Sequence, residues 1–412
     1  MIKAVIRTEE FSNTLSSVFG CGKEGSIDPL AGVIEIKVKS NALSLRTTDN
    51  RDTFIVKMTK TNEDGSIELS KVDCEDFTVA IDKGRFKELI DRTNLDEITL
   101  TITDRAVELK GHGIYKFERP IEGDEPIKFE PIAAIKDPEL NVPLDVKELQ
   151  SIIQAGNKFV AGQYVNPVSN SFYFGTNVVT TDGTVACFYQ KELLPEPLLL
   201  HASTVELLSK VKENNLTLVR KGRQIQFLGN YTMINSVVHQ NLDEYDAESL
   251  FSYLDTKFVS GVTIDVKSSK ELLSRVNIFV DNTTAKGSAQ FSFEESGITI
   301  AEIRGKAEEV LPYTDAVNFK PFICYANLKD LINVIEFKDA GTVTLWYGDE
   351  NAIRVDSGDI VRVMALTGGE EMEGDMAEIF ENEKKDVLAG TRGDEDIDGI
   401  DAITGTIDDV VW

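Results

Sequence analysis

Cysteine and histidine are scarce in this chain of 412 residues, with four of the first and three of the second. Cys21, Cys74, Cys187 and Cys324 lie far apart without a CxxC pair, and His112, His201 and His239 add no ligand spacing. A zinc site is not expected, and reduced, partly buried thiols are. No apolar run approaches the ~20 residues that span a bilayer. The opening segment, MIKAVIRTEEF, has no apolar stretch of signal-peptide length. A cytoplasmic protein without membrane contact is the expectation. GxSxG, P-loop, HExxH and paired-cysteine signatures are missing as well, so no catalytic residue, metal or cofactor is assigned and an enzyme is not expected.

What is present is an ordinary globular composition, 42% hydrophobic and 27% charged. The length suits two to four domains of ~100–200 residues. The formal charge of −27 is unevenly spread: residues 370–412 hold 15 acids and three bases, leaving −15 for the other 369 residues. That final stretch, acidic and weakly periodic, reads as a largely disordered tail with a short helix around 376–387.

The body repeats itself. ITLTITDRAVELKG (98–111), LTLVRKGRQIQFLG (216–229) and VTLWYGDENAIRVDSG (343–358) each read as two strands joined by a polar turn, roughly 120 residues apart. A helix with apolar positions at i, i+3, i+4 precedes each hairpin: RFKELIDRTN (85–94), TVELLSKVKENN (204–215) and NLKDLINVIEF (327–337). An earlier helix opens each unit, as EEFSNTLSSVF, KELQSII and KELLSRV. Alternating strands lie between the two helices. Each unit thus reads helix, strands, helix, strands, an α+β domain with two helices on one face of an antiparallel sheet. Linkers near 138 and 250 place the units at 1–136, 137–250 and 251–369, with the tail at 370–412. Three such domains suggest an arc that closes into a ring by head-to-tail association.

The six helical segments carry 14 bases and 13 acids, a sum of +1 in a chain of −27. A helix-lined surface less acidic than its surroundings would hold phosphates by screened, sequence-independent contacts. The candidate DNA-binding residues are Lys83, Arg85, Lys87, Arg92, Lys147, Lys158, Lys210, Lys212, Lys267, Lys270 and Arg275.

In order and spacing, VVTTDGTVACF, LAGVIEIKVKSNALSLRTTDN, VELKGHGIYKFERPI and DIVRVMAL make residues 1–369 resemble the bacterial-type DNA polymerase sliding clamp, the beta subunit and processivity factor of the replicative polymerase. The resemblance implies three clamp domains per chain and a homo-oligomeric ring, in the family a dimer. Helices would line a hole holding duplex DNA, and DNA polymerase and clamp loader would dock outside. It implies a ring interface using Tyr115, Phe117, Phe279 and Val280. It also implies a pocket for a partner peptide formed by Val168, Thr181, Gly183, Thr184, Val185, Ala186, Leu250, Val363, Met364 and Leu366. Two departures mark a divergent clamp, with a viral source left open: Thr184, Val185 and Ala186 stand where the family has His-Arg-Leu, and the acidic tail is additional. The alternative reading is a ring or assembly protein that does not bind DNA, which would have no need of helices less acidic than the rest.

Overall fold

The computed structural model describes residues 1–21, 29–49, 51–162, 168–280, 287–338, 340–348 and 351–367. The acidic tail and its expected helix lie outside the described residues. Two compact units are formed, one from Met1–Thr256 with Asp356–Val363, the other from Lys257–Val355 with the chain from Met364 onward.

The first unit contains one pattern twice. A strand (Ile2–Arg7) leads into helix α1 (Thr8–Val18), and strands Val33–Lys39, Ala42–Thr48, Thr53–Lys57 and Phe77–Asp82 follow. Helix α2 (Lys83–Asp91) and the strands Glu97–Ile102, Ala106–Lys110 and Ile114–Glu118 complete the set. Leu140–Asp145 then restarts the order with α3 (Val146–Gly156) and strands Ser171–Phe174, Val178–Thr181, Val185–Tyr189 and Leu198–His201. The second round ends on α4 (Ala202–Leu208) and strands Asn215–Lys221, Gln224–Leu228 and Thr232–Val237. The three sequence hairpins are all formed; the first, for example, pairs Ile102 with Val107 and Thr99 with Lys110.

Strand-to-helix transitions are set by acidic caps. Asp82 and Asp145 sit just before α2 and α3 and accept the backbone N–H of Arg85 and Glu148, at 3.0 and 2.9 Å. Phe11, Leu15, Phe86, Ile90, Leu149, Ile152, Val205 and Leu208 are the buried stripes of these helices, and they join the inner faces of the sheets in one continuous core. Phe86 meets Phe11 edge-on at 5.8 Å and Phe117 at 5.3 Å.

The two rounds are fused through an eight-stranded sheet. Thr232–Val237, last in its round, pairs antiparallel with Thr53–Lys57, third after the first helix of the other round, with Thr232 opposite Val56. Beneath this seam lies Asp52, 1% exposed. Its carboxylate accepts hydroxyls from Ser203 (2.8 Å), Thr204 (2.7 Å) and Ser236 (2.5 Å) and the Arg51 guanidinium (3.3 Å). A four-stranded sheet remains at the start of the unit, in the order Ile2–Arg7, Glu97–Ile102, Ala106–Lys110, Ile114–Glu118.

The second unit runs through the order once more: Ser260–Asp265, α6 (Val266–Asn277), strands Ser288–Glu294, Gly297–Glu302, Glu308–Leu311 and Phe322–Asn327, α7 (Leu328–Ile335), then Thr342–Tyr347 and Ala352–Ser357. An added strand, Asp315–Val317, pairs with Ser260–Asp265. The caps are Asp265 and Asn327. The closing strand, Ile360–Ala365, belongs to the first unit through Val363 and lies beside Val185–Tyr189 there.

Two segments depart from the sequence reading. The helix expected over 204–215 stops at Leu208, because Val211 turns inward and the buried Glu213 carboxylate takes the N–H groups of Asn230 and Tyr231. The segment read as a linker near 250 is a further helix, α5 (Ala247–Asp255), capped by Asp246 onto Ser249 N–H at 3.1 Å. Tyr245, just before it, stacks on Tyr173 at 5.7 Å and donates its hydroxyl to the Val179 carbonyl.

Candidate functional site

The helices pair within each round, α1 with α2, α3 with α4, and α6 with α7. Five of the eleven basic residues assigned to them are held in ion pairs. Lys87 reaches Asp91 at 2.5 Å and Arg92 reaches Glu88 at 2.6 Å, both one turn away. Lys210 meets Glu206 at 3.2 Å, and Lys270 on α6 meets Glu336 beyond α7. Arg275 grips Glu309 with two nitrogens, at 2.9 and 2.5 Å, a pairing that raises the guanidinium pKa and lowers that of the carboxyl. Arg85, Lys147, Lys212 and Lys267 are exposed, and none has an ion pair within the described residues. Lys158 is exposed on a 3-10 turn after α3.

Lys83 is a correction. It is 1% exposed, donates to the Cys21 carbonyl at 2.9 Å and lies 5.5 Å from the Phe19 ring. As the first residue of α2 it points inward to lock the chain leaving α1, so it cannot meet a phosphate.

The expected ring residues divide likewise. Tyr115 and Phe279 are exposed, whereas Phe117 packs on Phe86 and Val280 is buried. Phe117 is half-buried because strand alternation turns it towards Phe86, and Val280 is buried where the chain leaves α6. Exposed apolar side chains that periodicity did not single out stand nearby in sequence: Ile114 (70%), Ile278 (77%) and Val310 (52%). They flank two unpaired edges. Among the described residues Ile114–Glu118 has a paired strand on one side only, and so does Glu308–Leu311, which ends the sheet Glu308–Leu311, Gly297–Glu302, Ser288–Glu294, Phe322–Asn327.

Of the residues assigned to a partner pocket, Val168, Thr181, Gly183, Thr184, Val185, Ala186, Leu250 and Val363 lie in the first unit, and Met364 and Leu366 in the second. Val185, Ala186, Val363 and Met364 are buried. Thr181–Thr184 is a self-satisfied turn. The Asp182 carboxylate accepts the N–H groups of Thr184 and Val185 and the Thr184 hydroxyl, at 2.8 to 2.9 Å. Gly183 has φ +99°, a backbone that a side chain would strain. Asp49 holds the matching turn of the first round, accepting from Arg51 and Asp52 N–H. In the second unit Glu302 does so one methylene longer, accepting from Arg304 and Lys306.

Sequence reasoning missed Arg362. It is buried, 5.0 Å from the Phe159 ring and 3.4 Å from the Ala155 carbonyl at the end of α3, where a cation suits the helix dipole. The only signal was an arginine interrupting an apolar closing strand. Among the described residues, no group of three His, Cys, Asp or Glu is placed to hold a metal, and no helix is long and apolar enough to cross a membrane. Cys21, Cys187 and Cys324 are buried, and burial pushes their thiol pKa values up to about 12, 11 and 12.

These elements have the fold of the DNA sliding clamps, an α+β architecture of repeated clamp domains. The chain is similar to the DNA polymerase III beta subunit of Thermotoga maritima at 13% identity and a TM-score of 0.74, over 89% of this chain and 100% of that one. The corresponding subunit of Borrelia burgdorferi gives 15% and 0.76, over 89% and 99%. The DNA polymerase sliding clamp of Pseudomonas aeruginosa gives 15% and 0.71, over 89% and 100%. No protein-family model and no curated protein matches the sequence.

Proposed function

We propose that this chain is a DNA sliding clamp, a processivity factor whose copies form a ring around duplex DNA and tether a DNA polymerase. One observation carries the reading. Where the first two rounds meet, the last strand of the later round pairs with the third strand of the earlier one, Thr232–Val237 on Thr53–Lys57. The same rule describes Ile360–Ala365 beside Val185–Tyr189. It leaves two strands over, Ile114–Glu118, last in round one, and Glu308–Leu311, third in round three. Pairing these between copies repeats a junction already built within the chain and removes two exposed edges. Exposed Ile114, Tyr115, Ile278, Phe279 and Val310 supply the apolar anchors.

The clamp domains are then 1–136, 137–250 and 251–369, with the second boundary falling inside α5. Two copies give six domains, as in the dimeric family, and a clamp loader is implied because a closed ring cannot thread onto circular DNA. DNA contact is diffuse and sequence-independent, made by Arg85, Lys147, Lys212 and Lys267 and, in exchange with the groups they already meet, by Lys87, Arg92, Lys158, Lys210, Lys270 and Arg275. The partner site is the surface around the Thr181–Thr184 turn and Leu250. The setting is the cytoplasm.

The helix-layer ion pairs favour a second reading, a ring that holds no DNA. Retention on circular duplex separates the two. Protein assembled on a circle should co-elute with it in gel filtration and be released when one cut linearises the DNA. Equal retention after cutting overturns topological holding. A stable ring that never stays on circles, even with loader, establishes the second reading.

A further inference from the structure

We propose that the acidic segment 370–412 competes in cis with duplex DNA for the cations of the α6–α7 helix layer; the inference rests on the clamp reading above. The described chain ends beside this layer. Thr367 N–H donates to the Tyr325 carbonyl at 2.9 Å and its hydroxyl meets that of Ser288 at 3.1 Å. Tyr325 lies two residues before Asn327, the cap of α7. Helices α6 and α7 are antiparallel neighbours, since Lys270 in the first half of α6 meets Glu336 just past the end of α7. Thr367, the last described residue, therefore lies near the C-terminal end of α6, one helix length from Lys267 and three residues before the acidic stretch opens in the sequence. Twelve helical residues measure about 18 Å, a distance that about six extended residues cover. The segment has 43 residues, with 15 acids against three bases.

Its targets are on the same unit. Lys267 is exposed and has no ion pair among the described residues, and Lys329 is exposed on the first turn of α7. Lys270 and Arg275 show that carboxylates do engage this surface: each is held by a glutamate from another element. A phosphate backbone and a run of carboxylates use the same diffuse attraction, so occupancy by one displaces the other, and both weaken as salt screens them. At a net −12 against −15 for the other 369 residues, the segment is the densest acid in the chain. The device would keep the free protein off DNA and yield once a closed ring holds the duplex by topology.

The test uses the full-length chain with the fifteen acids of 370–412 changed to the matching amides, beside a variant truncated after Gly369, which loses no described residue. Binding of each to a labelled linear duplex is followed by fluorescence anisotropy across a salt series. Both variants should bind at least fivefold tighter than the native chain at low salt, with the advantage vanishing at high salt. A peptide of residues 370–412 added in trans should weaken the truncated form. Equal affinity of native and amide-substituted chains at low salt overturns the proposal while leaving the clamp reading in place. Absence of duplex binding by all three forms, with no retention on circles, overturns both.

Discussion

Two half-sheets of the first unit have the same strand order and opposite fates. Thr232–Val237 is closed against Thr53–Lys57 and underpinned by Asp52, which ties Ser203, Thr204 and Ser236 to the turn before the seam. Ile114–Glu118 occupies the equivalent place in the earlier round and, among the described residues, has no strand paired on its outer side. The closed seam is polar beneath and sealed. The open one is fringed by Ile114 and Tyr115, exposed where an isolated domain would carry charge. The difference teaches that the chain places its polar network at a junction within one chain and leaves apolar side chains along the edge that, on the proposed clamp reading, another copy would cover.

Breaking the closed seam should have the largest effect. Asp52→Ala removes a buried carboxylate and strands three hydroxyls and Arg51, so a loss of roughly 3–5 kcal/mol is expected. Chemical denaturation monitored by circular dichroism should show the first unit unfolding at markedly lower denaturant. A loss below 1 kcal/mol would mean water replaces the network and the seam is held by strand pairing alone. Breaking the open edge should leave stability untouched and act on assembly instead. Tyr115→Asp with Phe279→Asp is expected to weaken ring closure by about 100-fold, equivalent to ~2.7 kcal/mol. Light scattering coupled to gel filtration should report a folded single chain. A double variant that still assembles at the native mass would place the interface elsewhere.

The repeat made most of this legible beforehand. Leu149, Ile152, Leu272 and Val276 stand at helical spacing and are buried as that spacing requires, and Ile98, Leu100 and Ile102 alternate inward. Side-chain direction at the ends of elements was not legible. Lys83 carries a charge and yet is interior, because the first residue of α2 faces the departing end of α1, which no single-helix pattern reveals. Phe117 and Val280 look like Tyr115 and Phe279 in sequence, and only the pleat and the turn after α6 separate covered from exposed. The ion pairs were hidden for another reason. Lys87–Asp91 is readable at i, i+4, but Lys270–Glu336 and Arg275–Glu309 join residues 66 and 34 apart. The α5 helix was masked by its turn-like, acidic start, where Asp246 is in fact the cap.

Acid should distinguish the two half-sheets next. His201 and His239 lie 4.6 Å apart beside the closed seam, whereas the histidine next to the open edge, His112, is exposed and meets the Asn94 side chain. Burial, with the nearby Arg51 charge and His239, pushes His201 from 6.5 down to about 4, and burial also lowers His239; Asp52 and Glu244 oppose these shifts in part. The folded state therefore takes up a proton less readily than the unfolded one. The stability this group contributes is complete above pH 6.5 and is lost as pH falls from there towards 4. Since His201 is partly solvated, a loss on the order of 1 kcal/mol between pH 7 and pH 5 is expected. His201→Gln should flatten that decline, measured as the difference in melting temperature between the two pH values. An unchanged decline would move its cause to other groups.

The smallest effect should come from single charges on the helix layer, and its size depends on whether the open edges are closed. In a closed ring the duplex is held by topology, so Lys267→Ala should alter retention on circular DNA by less than twofold. One exposed charge is worth less than about 1 kcal/mol and is screened by salt. In the Tyr115→Asp, Phe279→Asp background no ring forms, and whatever affinity remains for linear duplex is electrostatic. Changing Arg85, Lys147, Lys212 and Lys267 together to Gln should then lower that affinity and reduce the slope of log affinity against log salt by up to about 3.6, at ~0.9 for each phosphate that is no longer neutralised. The ion-paired Lys87 and Lys270 should contribute less to the slope than the four cations without ion pairs, because each must first give up its carboxylate. A large loss from Lys267→Ala alone, in the closed ring, would replace diffuse attraction with a discrete phosphate site on α6.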